Sequence, residues 1–145
     1  MESILLIVLI GLAGGIAVGM QGPLASILTQ RMGPFESSFI VHAGGALISI
    51  VPLLIIGGGK LGQWRSAPWY ALGAGVFGLV VLSAVSYTIP RIGVAAAIVT
   101  IVAGQIILSA VLDHFGLLGA AVRPLDAPRF LGLAVVMIGV WLTVR

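Results

Sequence analysis

Apolar residues run along this chain in long unbroken stretches, unlike the single stripe of a soluble amphipathic helix or the alternation of a half-buried strand. Turn residues and charges divide them into five segments, at residues 3–31, 35–56, 69–89, 93–112 and 129–144. A helix crosses a bilayer with about 20 apolar residues, so each segment predicts one transmembrane helix. The connections read MGPFE, the glycine-rich GGGKLGQWRSAP, the tight PRIG and the longest link, DHFGLLGAAVRPLDAP. Only helices or closed barrels satisfy their backbones in lipid, and the alternating ten-residue segments of a membrane barrel do not occur. The predicted fold class is therefore all-α integral membrane, a single membrane domain of five transmembrane helices spanning residues 1–145.

Composition agrees: 60% of the 145 residues are hydrophobic and 8% charged, with a mean hydropathy of +1.25. The first apolar run starts at Met-Glu and is longer than the 7–15 residues of a signal-peptide core, so it is expected to stay as a span. Net charge is +3, but the seven Lys and Arg are scattered singly, which makes them membrane-edge anchors and excludes a nucleic-acid patch. Trp64, Trp69 and Trp141 fall at predicted interfaces, as an aromatic belt places them. No cysteine is present, and the four acids (Glu2, Glu36, Asp113 and Asp126) are dispersed, without a P-loop or HExxH motif. An enzyme, a metal site and a cofactor are not expected.

An odd number of spans puts the two chain ends on opposite faces. The N-terminal face then carries Lys60, Arg65, Arg123 and Arg129, and the other face Arg31, Arg91 and Arg145. Orientation follows the excess of Lys and Arg on the cytoplasmic side, and four against three is hardly an excess. The count leaves two outcomes open, insertion in both orientations or a fixed orientation set by the slight bias. Two copies in opposite orientation would supply ten helices with the inverted symmetry on which many transporters rest.

Candidate chemistry begins in the first segment. Gly11, Gly15 and Gly19 recur every four residues, a seam that lets another helix approach closely and predicts a dimer or helix-packing face. Gly22 and Pro23 follow. Proline lacks the N–H that would bond the Gly19 carbonyl, so a helix break or kink is expected there, freeing an acceptor beside Gln21. Gln21 lies about 15 Å from the Arg31 end at 1.5 Å per residue, near the membrane centre, and it predicts a substrate contact. In the second segment His42 stands about two turns inside the membrane, sharing a face with Ser38, Gly45 and Ser49. An intramembrane imidazole suits proton exchange or direct substrate contact. Glu36, behind Pro34 at the helix start, is the second candidate for coupling. In the fourth segment Gln105, Ser109 and Asp113 follow at steps of four, a polar ridge from midplane to edge that predicts further substrate contacts at Gln105 and Ser109. Asp113 and His114, adjacent near a helix end, read as a solvated edge.

The stretches GGIAVGMQGPLASIL, SSFIVHAGGAL, YTIPRIGVAAAIVTIVAGQIILSAVLDHFGLLG and RFLGLAVVMIGVWL together resemble the YdcZ-type five-helix family of the drug/metabolite transporter superfamily. The most specific piece is the run from Gly104 to Leu117. The resemblance implies a multi-pass protein of the bacterial inner membrane, related to the four-helix small multidrug exporters. It also implies antiparallel pairing, with a second copy or with a sister five-helix subunit. Those relatives exchange protons on a glutamate in their first helix. Here that segment has Gln21 and, ahead of it, only Glu2, so His42 or Glu36 would have to carry the proton.

The expected function is that of a small secondary-active transporter, moving a small polar or amphipathic metabolite or drug by alternating access as an antiparallel dimer. The other class that fits is a non-transporting membrane subunit or scaffold, packing on a larger partner through the glycine seam.

Overall fold

The computed structural model of the protein describes residues 4–145. Glu2 and the predicted start of the first helix at Ser3 lie outside the described residues. The secondary structure is helical throughout, with no strand among the described residues, and five helices are long and apolar enough to cross a membrane. They are α1 (Ile4–Met32), α2 (Pro34–Ile55), a third span formed by the short α3 (Trp69–Leu72) and α4 (Gly75–Ile92), α5 (Val94–Phe115) and α6 (Ala127–Val144). Short 3-10 segments, Leu61–Ser66 and Leu117–Gly119, lie in the links. The chain forms two compact units, the first ending at Tyr87 and the second comprising Thr88–Arg145.

Helix ends depart from the hydropathy boundaries wherever a cap decides them. α4 continues past residue 89 through Pro90 and Arg91, and α5 runs to Phe115, where Gly116 stops it in the left-handed conformation (φ 63°, ψ 31°). α6 begins at Ala127 rather than 129, because the Asp126 carboxylate accepts the Arg129 N–H at 3.0 Å and caps it.

In the first unit, α1 and α2 are joined by one residue. Gly33 adopts φ 102° and ψ 164°, a region essentially reserved for glycine, and its N–H donates to Thr29 O at 2.9 Å while its carbonyl accepts from Ser37 N–H at 3.2 Å. Both helices thus keep their ladders up to the corner. The residues buried beside this corner are small or polar: Gly22, Ala25 and Ser26 on α1 and Ser37 and Ser38 on α2. In lipid, close backbone approach and interhelical hydrogen bonds replace the hydrophobic drive to associate, which suits small residues and serines to this contact between α1 and α2. Ser37, fully buried, donates across to Ala25 O at 3.2 Å, and Ser86 of α4 donates to Thr29 Oγ1 of α1 at 2.8 Å. Ser37→Ala is expected to lose about 0.5–1 kcal/mol, and Ser37→Leu about 1–3 kcal/mol through overpacking; reversible unfolding in mixed micelles measures both.

The same corner recurs sixty residues later. α4 and α5 meet at Gly93 (φ 82°, ψ 164°), whose N–H donates to Ile89 O at 2.9 Å and whose carbonyl accepts from Ala97 N–H at 3.1 Å. The order of buried and exposed positions over residues 21–30 is repeated position for position over 81–90. Ser26 and Ser86, Arg31 and Arg91, Gly44 and Gly104, and Ser49 and Ser109 are identical pairs at this spacing, and α2 and α5 are both 22 residues long. The chain repeats a helix–glycine–helix corner, at Gly33 and at Gly93.

In the second unit α5 packs on α6. The DHFG motif organises the corner between them. Arg123 N–H donates to Asp113 O at 2.8 Å, and Leu125 N–H donates to His114 Nδ1 at 3.0 Å, which folds the link back over the end of α5. The His114 ring is therefore part of a built corner, which Asp113 joins through its backbone carbonyl.

Candidate functional site

His42 is the best-positioned chemical group in the first unit. Its Nδ1 lies 2.7 Å from Ser38 O, one turn back on α2, and 3.3 Å from Ser38 Oγ. A carbonyl only accepts, so Nδ1 carries the hydrogen, and in the neutral ring Nε2 is left as a bare acceptor. That nitrogen lies in the space a side chain at Gly78 of α4 would occupy, and a Cβ there would also stand 2.8 Å from His42 Cε1. Gly78 is the partner that sequence reasoning missed. A lone glycine in an apolar span gives no signal until the residue across from it is known. The imidazole is thus held at one end by its own helix and set against another helix at the other, yet His42 remains exposed on its open side.

Gln21 is exposed on α1 and has no hydrogen-bond partner among the described residues. Of the break or kink expected at Gly22 and Pro23, the break does not occur: α1 is continuous from Ile4 to Met32 with Pro23 inside it. A proline inside a helix removes one donor, here the one that would bond the Gly19 carbonyl, and flanking turns hold the rest of the ladder. Gly22 is buried within the continuous helix. Gly11, Gly15 and Gly19 have nothing within 4 Å of where a side chain would begin. No segment among the described residues fills the predicted seam. Glu36 sits exposed in the first turn of α2, as expected for an acid at a helix N-terminus, with Oε2 2.7 Å from the position of a Cβ on Gly33.

In the second unit Gln105 and Ser109 are both exposed on α5. They do not share one cavity: Ser109 lines a cleft with Asp113 and the α6 residue Arg129, and Gln105 is outside it. Gln105, like Gln21, has no hydrogen-bond partner among the described residues. No group of three or more His, Cys, Asp or Glu side chains able to hold a metal occurs among the described residues.

No curated protein and no solved structure matches the chain. A family model does, over residues 6–142, all but the first five and the last three residues. Its description is "Putative inner membrane exporter, YdcZ". With five helices able to cross a bilayer and a match of that extent, the chain belongs to this YdcZ family of inner-membrane transport proteins, as a multi-pass member.

Proposed function

We propose that the protein is a secondary transporter in which two five-helix copies, identical or one of them a sister subunit, lie antiparallel and enclose the path of a small polar or amphipathic solute. The observation that carries this reading is the state of Gln21, an amide about 16 Å from the Met32 end of its helix, exposed and without a partner among the described residues. Leaving such a group in hydrocarbon costs about 4–8 kcal/mol, so a wet path or a second copy, not lipid, is its natural cover. Gln105 on α5 is in the same state. The unfilled face of Gly11, Gly15 and Gly19 supports a second helix as the neighbour of α1. The near balance of cations between the two ends of the spans supports antiparallel insertion, as in the bacterial drug/metabolite transporter superfamily that the sequence resembles.

In this reading Gln21, the Gly19 carbonyl and Gln105 hydrogen-bond the solute, and His42 carries the coupling proton, with Glu36 in reserve. Neutral His42 offers Nε2 as acceptor beside Gly78. Protonation turns that nitrogen into a donor facing a residue with no side-chain acceptor, which favours a state in which the ring has left Gly78 or met a solute. That is the differential stabilisation a proton-linked conformational change requires.

The test combines two measurements. Separate C-terminal fusions to a periplasmic and a cytoplasmic reporter should both give strong signal if a single gene product forms the antiparallel pair, and a one-sided signal calls for a sister subunit. Uptake into proteoliposomes of whichever metabolite most raises the melting temperature should depend on an imposed pH gradient, and His42→Ala should abolish that dependence. Retained dependence removes His42 from coupling. The open glycine face also fits a non-transporting subunit docked on a larger membrane complex; co-purification with such a complex and no solute uptake would favour it.

A further inference from the structure

The second unit holds a cleft that the transport reading does not use. It lies between the last turns of α5 and the first turns of α6, has a volume of about 310 Å³, and is lined by Ile106, Ser109, Ala110, Asp113, Leu125, Arg129, Gly132 and Leu133. Its chemistry is graded along its length. Asp113 is two residues from the end of α5 and Arg129 is in the first turn of α6, so both charges sit at the end of the spans. Ile106 and Leu133 lie one to two turns deeper. Asp113 and Arg129 are not ion-paired to each other or to any other group among the described residues. Arg129 instead holds its place by donating Nη1–H to Arg123 O at 2.9 Å, with its remaining N–H groups unspent. The third polar group is Ser109. Ser49, Thr100 and Thr143 each return their hydroxyl to a carbonyl four residues back, at 2.6–2.8 Å. Ser109 makes no such bond and faces the cleft.

We propose that this cleft binds the headgroup of a zwitterionic phospholipid with a primary-amine terminus, the ammonium on Asp113, the phosphate on Arg129 and Ser109, and the upper acyl chain along Ile106, Ala110 and Leu133. Opposite charges that are not paired with each other are complementary to a ligand that carries both signs. A singly anionic headgroup leaves Asp113 unmatched. A quaternary choline has no N–H to give the carboxylate. The apolar floor decides between a lipid and a free zwitterion such as an amino acid, since a small soluble zwitterion has nothing to place against it. The link beside the cleft carries exposed Leu117, Leu118 and Val122, apolar side chains suited to lie among headgroups and upper chains. A lipid at this site would hold α6 to α5 at the membrane edge.

The test is native mass spectrometry of the purified full chain in detergent, titrated with ethanolamine, choline and glycerol phospholipids of identical acyl chains. The ethanolamine lipid should be retained at least about tenfold more strongly than the choline lipid, a discrimination of the size expected for a charge-assisted hydrogen bond. Asp113→Asn, which keeps the side-chain volume, should erase that preference. Arg129→Gln and Ser109→Ala should weaken both zwitterionic lipids together. Helical content and melting temperature in lipid-free detergent separate loss of binding from loss of fold. Equal retention of the ethanolamine and choline lipids overturns the proposal, as does a preference that survives Asp113→Asn. Displacement of the lipid by free leucine at equimolar concentration also overturns it, because the cleft would then be a site for a soluble zwitterion.

Discussion

Gly78→Ala is expected to destabilise the first unit by about 1–3 kcal/mol, and His42→Ala in the same chain to recover most of that loss. The added methyl would overlap His42 Nε2 and come within 2.8 Å of Cε1. The obstacle is a ring, and the ring is tethered, because its Nδ1–H donates to Ser38 O at 2.7 Å. Swinging away forfeits that bond, worth about 1 kcal/mol, and leaves Nδ1 to find a new acceptor inside the span. A helix interior otherwise favours alanine over glycine by about 1 kcal/mol. Gly45→Ala, on the same helix as His42 with nothing within 4 Å of the new atom, is the matched control. It should be neutral or slightly stabilising in the monomeric, detergent-solubilised chain. Unfolding of the two single variants and the double variant in mixed micelles gives the coupling energy directly. If Gly78→Ala behaves like Gly45→Ala, the ring does not occupy that space in the protein.

The contrast between these glycines marks how far the sequence can be read. Five spans were legible because length and apolarity are properties of single segments. So was the placing of Glu36 at a helix start behind Pro34, because an N-terminal acid is a local pattern. Gln21 and His42 stood out as polar groups where lipid tolerates few. What they touch was not legible, since Gly78 is 36 positions from His42 and carries no chemistry of its own. Of the break or kink expected at Gly22 and Pro23 from a local rule, the break is ruled out, because a single missing donor does not outweigh the turns on either side. The cleft at Asp113 was hidden for another reason. The ridge named Ser109 and Asp113 on one wall, but the opposite wall begins twelve residues on at Leu125, and its charge, Arg129, the sequence offers only as an anchor. The repeated corner escaped notice because few residues recur around it, whereas buried positions and backbone angles recur closely.

That repetition yields the other large effect. Gly33→Ala and Gly93→Ala should each destabilise the chain by about 1–3 kcal/mol, and by nearly the same amount. At φ 102° and φ 82°, with ψ 164° at both, an L-residue is strained whatever room surrounds it. The surroundings differ. A Cβ on Gly33 meets Glu36 Oε2 at 2.7 Å, while one on Gly93 has nothing within 4 Å. The Glu36 oxygen is the far end of a flexible side chain and can rotate away, so sterics add little and backbone strain governs both sites. The alternative to strain is to open the corner, which would cost the paired hydrogen bonds that let α1 and α4 pass directly into α2 and α5. D-alanine placed at either position by semisynthesis tests the strain, because its favoured φ is positive: it should restore most of the lost stability at both sites. A clearly larger loss for Gly33→Ala than for Gly93→Ala would show that Glu36 is held in place, and the carboxylate would then belong to the corner rather than to the coupling chemistry.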